Sequence, residues 1–341
     1  MINGFKWIGL IIATMVGAGY ASGREIWEFF GLGSSLAIVL FTIMFIISCH
    51  VILEVSYLKK SEHYMPVLEQ FLGVKSAKVY DLLVMIYLFT TLFVMIAGSG
   101  ATVTIFEWSN VVGILLMVLL LLVIIPRGMD GVLSINRFLL PLLIVGLFLV
   151  LMIFVFQERV SFFYGISDQS NWVQAIPFTS LNVLPLIAVL SAVGKEIKSK
   201  KEIYVASIGS GLILGSISMV YNMSLISVAE QLYFYEIPLF AILNGYPFEI
   251  FLLMAVLLWF AIYTTALTSL FGIISRLKEF FKQHSTGRVG LYVLLIALPF
   301  SFFSFSHLIS YLYPLYGVLN LYVLGAILLF PIVKRAAAYK I

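Results

Sequence analysis

The chain has 341 residues, 62% of them apolar and 11% charged, with a mean hydropathy of +1.11 and a formal net charge of +4. Soluble proteins carry about 25% charged residues, so a water-soluble domain of this composition is excluded, and the single Cys49 excludes an internal disulfide or a cysteine-built metal centre. The excess positive charge lies in loops between apolar runs and therefore speaks to membrane topology, not to a nucleic-acid partner.

Apolar runs of about 20 residues, the length that crosses a hydrocarbon core, recur from end to end. They predict an all-α integral membrane protein with ten transmembrane helices, over 5–29, 33–58, 78–106, 111–126, 131–156, 173–194, 202–228, 247–277, 288–305 and 308–333. No basic, apolar and small-residue cleavage pattern precedes the first run, so it is read as a retained helix. Its middle, "VGAGYASGRE", holds three glycines followed at once by Arg24 and Glu25. Each glycine costs about 1 kcal/mol of helix propensity. Unwound backbone persists within a membrane only where it lines a cavity or is buried in protein. Close packing through small residues is the plainer reading of the glycines, but it does not account for the charges, which are rare within spans and usually functional.

Between the second and third helices, 61–76 carries "MPVLEQFLG" at helical spacing and reads as an amphipathic helix on the membrane surface, or else as a plain loop. His50 and Glu54 share one face of helix 2; snorkelling or a helix–helix hydrogen bond is the plain expectation, a proton relay the sharper one. The outer segment 157–172 separates helices 5 and 6. Helix 6 contains Pro177 and Pro185 with Thr179, Ser180 and Asn182 between them, and each proline removes an amide donor; a second break is expected there. In helix 7, Asn222 is expected to tie helices together. The apolar segment 229–246, interrupted by Pro238 and Gly245, is too short to span and reads as a capping hairpin on the outer face.

With the N-terminus inside, 18 of the 20 Lys and Arg residues fall in cytoplasmic segments; only Arg159 is in an outer loop and Arg24 is within a span. Such asymmetry sets orientation, so both termini are expected in the cytoplasm and the protein in the plasma (inner) membrane. Five helices per half is an odd number, which inverts the second half relative to the first. The expectation is one transporter domain over 1–341, with inverted repeats over about 5–156 and 173–333. Interrupted helices at matching places in inverted halves mark a transporter's binding site.

At such a site the amides from Gly19 to Gly23 would favour a carboxylate, while carbonyls of helix 6 with Thr179, Ser180 and Asn182 would suit an ammonium. The candidate solute-binding residues are Gly17, Ala18, Gly19, Tyr20, Ser22, Gly23, Thr179, Ser180 and Asn182, with Tyr87 and Tyr263 as aromatic wall candidates. For any single tyrosine in so aromatic a chain, lipid or core packing is the commoner role. Arg24 and Glu25 are gate candidates, with Glu230, Glu236 or Glu107 as partner to Arg24; a structural pair or snorkelling is equally compatible.

The "VGAGYASGRE" break, the ten-span count, the polar stretch in helix 6 and the hairpin between helices 7 and 8 resemble the amino acid–polyamine–organocation (APC) superfamily with its LeuT-type 5+5 fold. More narrowly, they resemble YkvI-like bacterial membrane proteins. The resemblance implies alternating access and directs attention to a sodium site in helix 8, "YTTALTSLFG". The matching positions are Thr265, Thr268 and Ser269, with carbonyls of Ala13 and Val16 from the first break. Carbonyl and hydroxyl oxygens suit a hard cation; a Ser or Thr bonded back to its own helix is the plain alternative. Proton-coupled relatives would place a Lys in helix 5, where this chain has Arg137 and no Lys.

The expected function is sodium-coupled symport of a small zwitterion such as an amino acid. The partners are the solute and the lipid bilayer, with no nucleic acid and no obligatory protein partner. No cofactor is expected, with Na+ as the coupling ion. A non-transporting receptor of the same fold and a proton-coupled amino acid or amine transporter are the alternatives. Four scattered histidines supply no catalytic constellation, so an enzyme is not expected.

Overall fold

The computed structural model describes residues 2–127, 130–160, 169–281 and 283–338, with the side chains of 127–138 among those left aside. Arg127, Arg137 and residues 161–168 of the 157–172 segment therefore lie outside the described side chains. Among the described residues the chain is all-helical, with no strand.

The first apolar run is three helices rather than one: α1 (Ile2–Met15), α2 (Ala18–Ala21) and α3 (Arg24–Phe29). Chain extends at Gly17 and turns left-handed at Gly23, with φ of 79°. A side chain at that φ is strained, and a Cβ there would also meet the Tyr221 hydroxyl at 2.6 Å. Glycine at 23 is required twice over.

Then follow α4 (Ser35–Lys59), α5 (Met65–Val103), α6 (Asn110–Ile124), α7 (Asp130–Gln157), α8 (Ala175–Ala192) and α9 (Lys200–Ser227). Next come the short α10 (Pro238–Leu243), then α11 (Phe248–Phe280), α12 (Thr286–Ala297), α13 (Phe305–Leu319) and α14 (Leu321–Ala338). Among the described residues, six helices are by themselves long and apolar enough to cross a membrane. A further pair, Thr286–Phe302 with Phe305–Leu319, is bent by 107°, and Gly4–Met15, Asn110–Ile124 and Leu321–Val333 are shorter apolar helices. This is a multi-pass membrane protein. The expected tenth helix, 308–333, is in fact α13 and α14, which meet at the buried Asn320.

Helix 6 corrects the expectation more sharply. The α8 helix runs unbroken through the Thr179–Asn182 stretch, with Pro185 accommodated inside it. The polar side chains do not replace a missing ladder: Thr179 Oγ1 donates to the Ala175 carbonyl at 2.7 Å, and Asn182 Nδ2 to the Phe178 carbonyl at 2.8 Å. Side chains bonded back four residues supplement a helix that is already formed. Although continuous, α8 does not face lipid along its length, since 67% of its apolar window is buried inside the protein.

The 61–76 segment is helical from Met65, with Val67, Leu68 and Leu72 buried and Gln70 exposed, and it departs from helical geometry at Gly73 (φ 78°) before continuing into the span. The hairpin over 229–246 contains a 3-10 turn (Ala229–Phe234) and α10, whose six residues are all buried. It sits in the protein and not merely upon it.

Packing brings α4 against both α8 and α9, α11 against α5 and α7, and α1 against α9. At the α4–α9 crossing, a Cβ on Gly211 or Gly215 would overlap Ile46 or Thr42. Small residues let helix backbones approach closely in a membrane, where apolar packing alone gives little drive to associate. Asn222 on α9 donates to the Gly31 carbonyl (2.9 Å) and Ser34 Oγ (2.8 Å), pinning the turn that follows α3.

Candidate solute-binding site

The broken first helix opens onto a cavity of about 410 Å³ whose walls come from α1, α2, α3, α5, α7, α8, α11 and α13. Its volume suits a small molecule. A larger apolar groove of about 910 Å³ between Phe71 and α14 has no Asp, Glu, Lys, Arg or His among its described lining residues.

Around the break, most backbone groups are already employed. The amides of Ala21, Ser22 and Gly23 donate to Gly17, Ala18 and Tyr20 carbonyls at 2.9–3.0 Å, and Arg24 N donates to Ser22 Oγ at 3.2 Å. The free amides expected from Gly19 to Gly23 as a carboxylate cradle are thus largely consumed by the short turns of α2 and α3. Carbonyls of the break are employed too: Ala21 O accepts from the Tyr221 hydroxyl at 3.0 Å, and Ser22 O from the Leu239 amide at 2.9 Å.

Of the expected solute-binding residues, Gly17, Ala18, Gly19, Tyr87 and Asn182 line the cavity. The others point elsewhere. Tyr20 is fully buried and shares a 2.8 Å hydrogen bond with Ser218 on α9. Ser22 Oγ donates to the Gly19 carbonyl (2.7 Å), and Gly23 abuts Tyr221. Thr179 is bonded within α8, and Ser180 Oγ is buried without a partner. Tyr263 stacks on Trp259 with centroids 6.0 Å apart, outside the cavity lining. Helix rotation decides all of these, and spacing alone does not report it.

All five positions matched to a sodium site, Ala13, Val16, Thr265, Thr268 and Ser269, line the same cavity. Thr265 Oγ1 donates to Ala261 O (2.8 Å) and Thr268 Oγ1 to Thr265 O (3.0 Å), the back-bonded arrangement of a helix hydroxyl at rest.

The two gate candidates part company. Arg24 turns outward: its Nη2 donates to Ser310 Oγ on α13 (3.4 Å), and Ser310 donates to Glu28 Oε2 (2.6 Å). Glu236 shares an outer pocket with Arg24 but accepts from Ser304 (3.0 Å); no ion pair joins Arg24 to Glu230, Glu236 or Glu107 among the described residues. Glu25 turns inward. It is 8% exposed and lines the cavity, with its carboxylate laid so closely against Gly19 that a Cβ there would overlap it. The sequence reading missed Tyr313, Thr91, Met95 and Thr264, which complete the wall. Thr91 was in reach, being one helical turn from Tyr87. Tyr313 was not, since only packing brings α13 beside the break.

Ion pairs gather at the other end. Lys6 bonds Glu196 and Lys195 bonds Glu62, each at 2.6 Å, and Lys200 lies 3.9 Å from Glu54. The Lys195 ammonium holds the Glu62 carboxyl below the usual range. His50 packs on Tyr204 with centroids 4.7 Å apart, so neither His50 nor Glu54 faces the cavity. Arg276 pairs with Asp81 (2.6 Å), and both bond the Tyr64 hydroxyl. Burial, and then the hydrogen bond to Asp81, push the Tyr64 phenol up to about 12.

No protein-family model matches the chain. It is 46% identical over 332 residues to the uncharacterized protein YyaD of Bacillus subtilis strain 168, covering 97% of this chain and 98% of that one. The chain belongs to the YyaD family. This YyaD-family chain is also 26% identical over 327 residues to the uncharacterized membrane protein YkvI of the same organism, covering 93% of each. Among solved structures it is similar to a Na+-coupled sialic acid symporter in its substrate-bound outward-open state (TM-score 0.54, 16% identity, 93% of this chain and 84% of that one). It is also similar to a mutant of the Eremococcus coleocola manganese transporter (TM-score 0.52, 14% identity, 98% and 86%). The YyaD-family protein therefore has a fold like that of membrane transporters.

Proposed function

We propose that this protein is a secondary active transporter that moves a small solute bearing an ammonium group, the expected zwitterion among the candidates, together with sodium by alternating access. The single observation that carries the reading is that the interrupted first helix, Asn182 of α8 and the hydroxyls of α11 line one cavity. On this reading the ten apolar segments form a 5+5 inverted repeat within the APC superfamily that the sequence resembles. Both termini lie on the cytoplasmic side of the plasma membrane. In support, α4 and α9 would be the second helices of the two halves and α5 and α11 the third, and each pair packs together, as equivalent helices lying beside a two-fold axis between halves would. Sodium would join the Ala13 and Val16 carbonyls to Thr265, Thr268 and Ser269, so that binding draws the first helix against α11.

Reconstitution into proteoliposomes tests this. An inward sodium gradient is expected to drive accumulation of labelled small amines or amino acids above equilibrium, and collapsing it to abolish accumulation. Binding without accumulation would mark a receptor, and accumulation on a proton gradient alone would remove sodium.

A further inference from the structure

Glu25 is the one carboxylate among the described residues lining the central cavity, and it has no hydrogen-bond or ion-pair partner there. Arg24, its neighbour in sequence, is engaged outward with Ser310. A buried carboxylate without a counter-charge is costly, and ionisable groups kept inside a membrane protein mark substrate or ion pathways.

The surroundings define what would complete the site. Tyr87 and Tyr313 stand on the same cavity wall, Tyr87 braced edge-on by Tyr316 at 5.1 Å between centroids. Tyrosine faces beside a carboxylate attract a cation through their ring quadrupoles. Thr91 donates its hydroxyl to Tyr87 O (2.9 Å) and Asn182 its amide to Phe178 O (2.8 Å), which leaves the Asn182 carbonyl as a further acceptor. No Lys, Arg or His joins them among the described residues, and the backbone amides of Ala21 to Arg24 are spent. A solute's ammonium thus has a charged partner here; a solute's carboxylate meets no cationic side chain among the described residues and would face Glu25 besides. A divalent metal ion is poorly served, since no three His, Cys, Asp or Glu side chains come together among the described residues.

We infer that the cavity selects a small organic amine lacking a carboxylate, with Glu25 as its counter-charge and Tyr87 and Tyr313 as its aromatic walls. The inference rests on the transporter reading for the location of the site, and it narrows the solute from a zwitterion to a monocation.

The test is equilibrium binding to the purified full chain in detergent, with n-butylamine and tetramethylammonium as cationic probes, and alanine and butyrate as zwitterionic and anionic ones. At least one cationic probe is expected to bind about tenfold or more tightly than alanine, with butyrate not binding. Glu25→Gln should weaken that amine about tenfold or more while eluting as a monodisperse species. In Gly19→Ala the new Cβ displaces the carboxylate without removing it, and the same loss is expected. Alanine binding as well as the amines, no amine binding at all, or full amine affinity in both variants would overturn the inference. Amine binding that depends on Glu25 without uptake in proteoliposomes would leave it standing and remove the transport reading instead.

Discussion

The backbone amide of Leu239, at the start of the buried α10, donates to the carbonyl oxygen of Ser22 in the gap between α2 and α3, across 2.9 Å. The hairpin over 229–246 thereby satisfies a carbonyl that the helix break sets free. A chain interrupted within a membrane has no water to turn to, so the break and the hairpin are one structural unit. Tyr221 completes it by donating to the adjacent Ala21 carbonyl.

Gly23→Ala should damage this unit. The left-handed conformation alone costs a non-glycine residue about 1–2 kcal/mol, and the new Cβ would force the Tyr221 hydroxyl away from Ala21. A lower melting temperature in detergent and loss of solute binding are expected; an unchanged melting curve would show that the turn adapts without cost.

The sodium assignment makes a separable prediction. Thr268→Val and Ser269→Ala should each abolish the rise in melting temperature that sodium chloride produces over choline chloride, while expression and the sodium-free melting curve stay near wild type. Thr268 is exposed in this structure, so its substitution disturbs little packing. A sodium effect retained in both variants would remove this site.

Asn222→Ala takes away both donors to Gly31 O and Ser34 Oγ in a fully buried setting. Gly31 O keeps the bond it accepts from Ser34 Oγ (2.8 Å), so the loss is of two buried hydrogen bonds, at about 0.5–1.5 kcal/mol each. The expected readout is a lower melting temperature with sodium-dependent stabilisation preserved, because the bridge lies beyond the cavity. A variant as stable as wild type would show that water takes over the amide's role.

At the end where basic residues gather, Tyr64 supplies a pH signature. Its phenol ionises near 12 in the folded protein against about 10 when exposed. The folded state therefore prefers the neutral phenol: the contribution is complete below about 10 and is lost as pH rises through about 12. Between those values the wild-type melting temperature should fall more steeply than that of Tyr64→Phe. Parallel curves would show that the folded protein does not hold the Tyr64 phenol above its ordinary value.

Much of this protein was legible in its residues, and the divide has a physical basis. Composition, the repeated apolar lengths and the one-sided placement of Lys and Arg determined a multi-pass helical membrane protein, because bilayer thickness and charge transfer act on each segment separately. The glycines before Arg24 and Glu25 located the interruption in the first helix, since propensity and φ are properties of the local chain. The prolines of helix 6 misled for the same reason: Thr179 and Asn182 bond back along α8, and one internal proline does not open a helix whose neighbours enclose it. What only tertiary structure decided is the direction in which each side chain points. Arg24 faces Ser310 while Glu25 faces the cavity; Tyr20 and Tyr263 leave it, and Tyr313 enters from the far end of the chain. Those directions follow from how the helices rotate against one another, a quantity set by contacts distant in sequence and so carried by no local pattern.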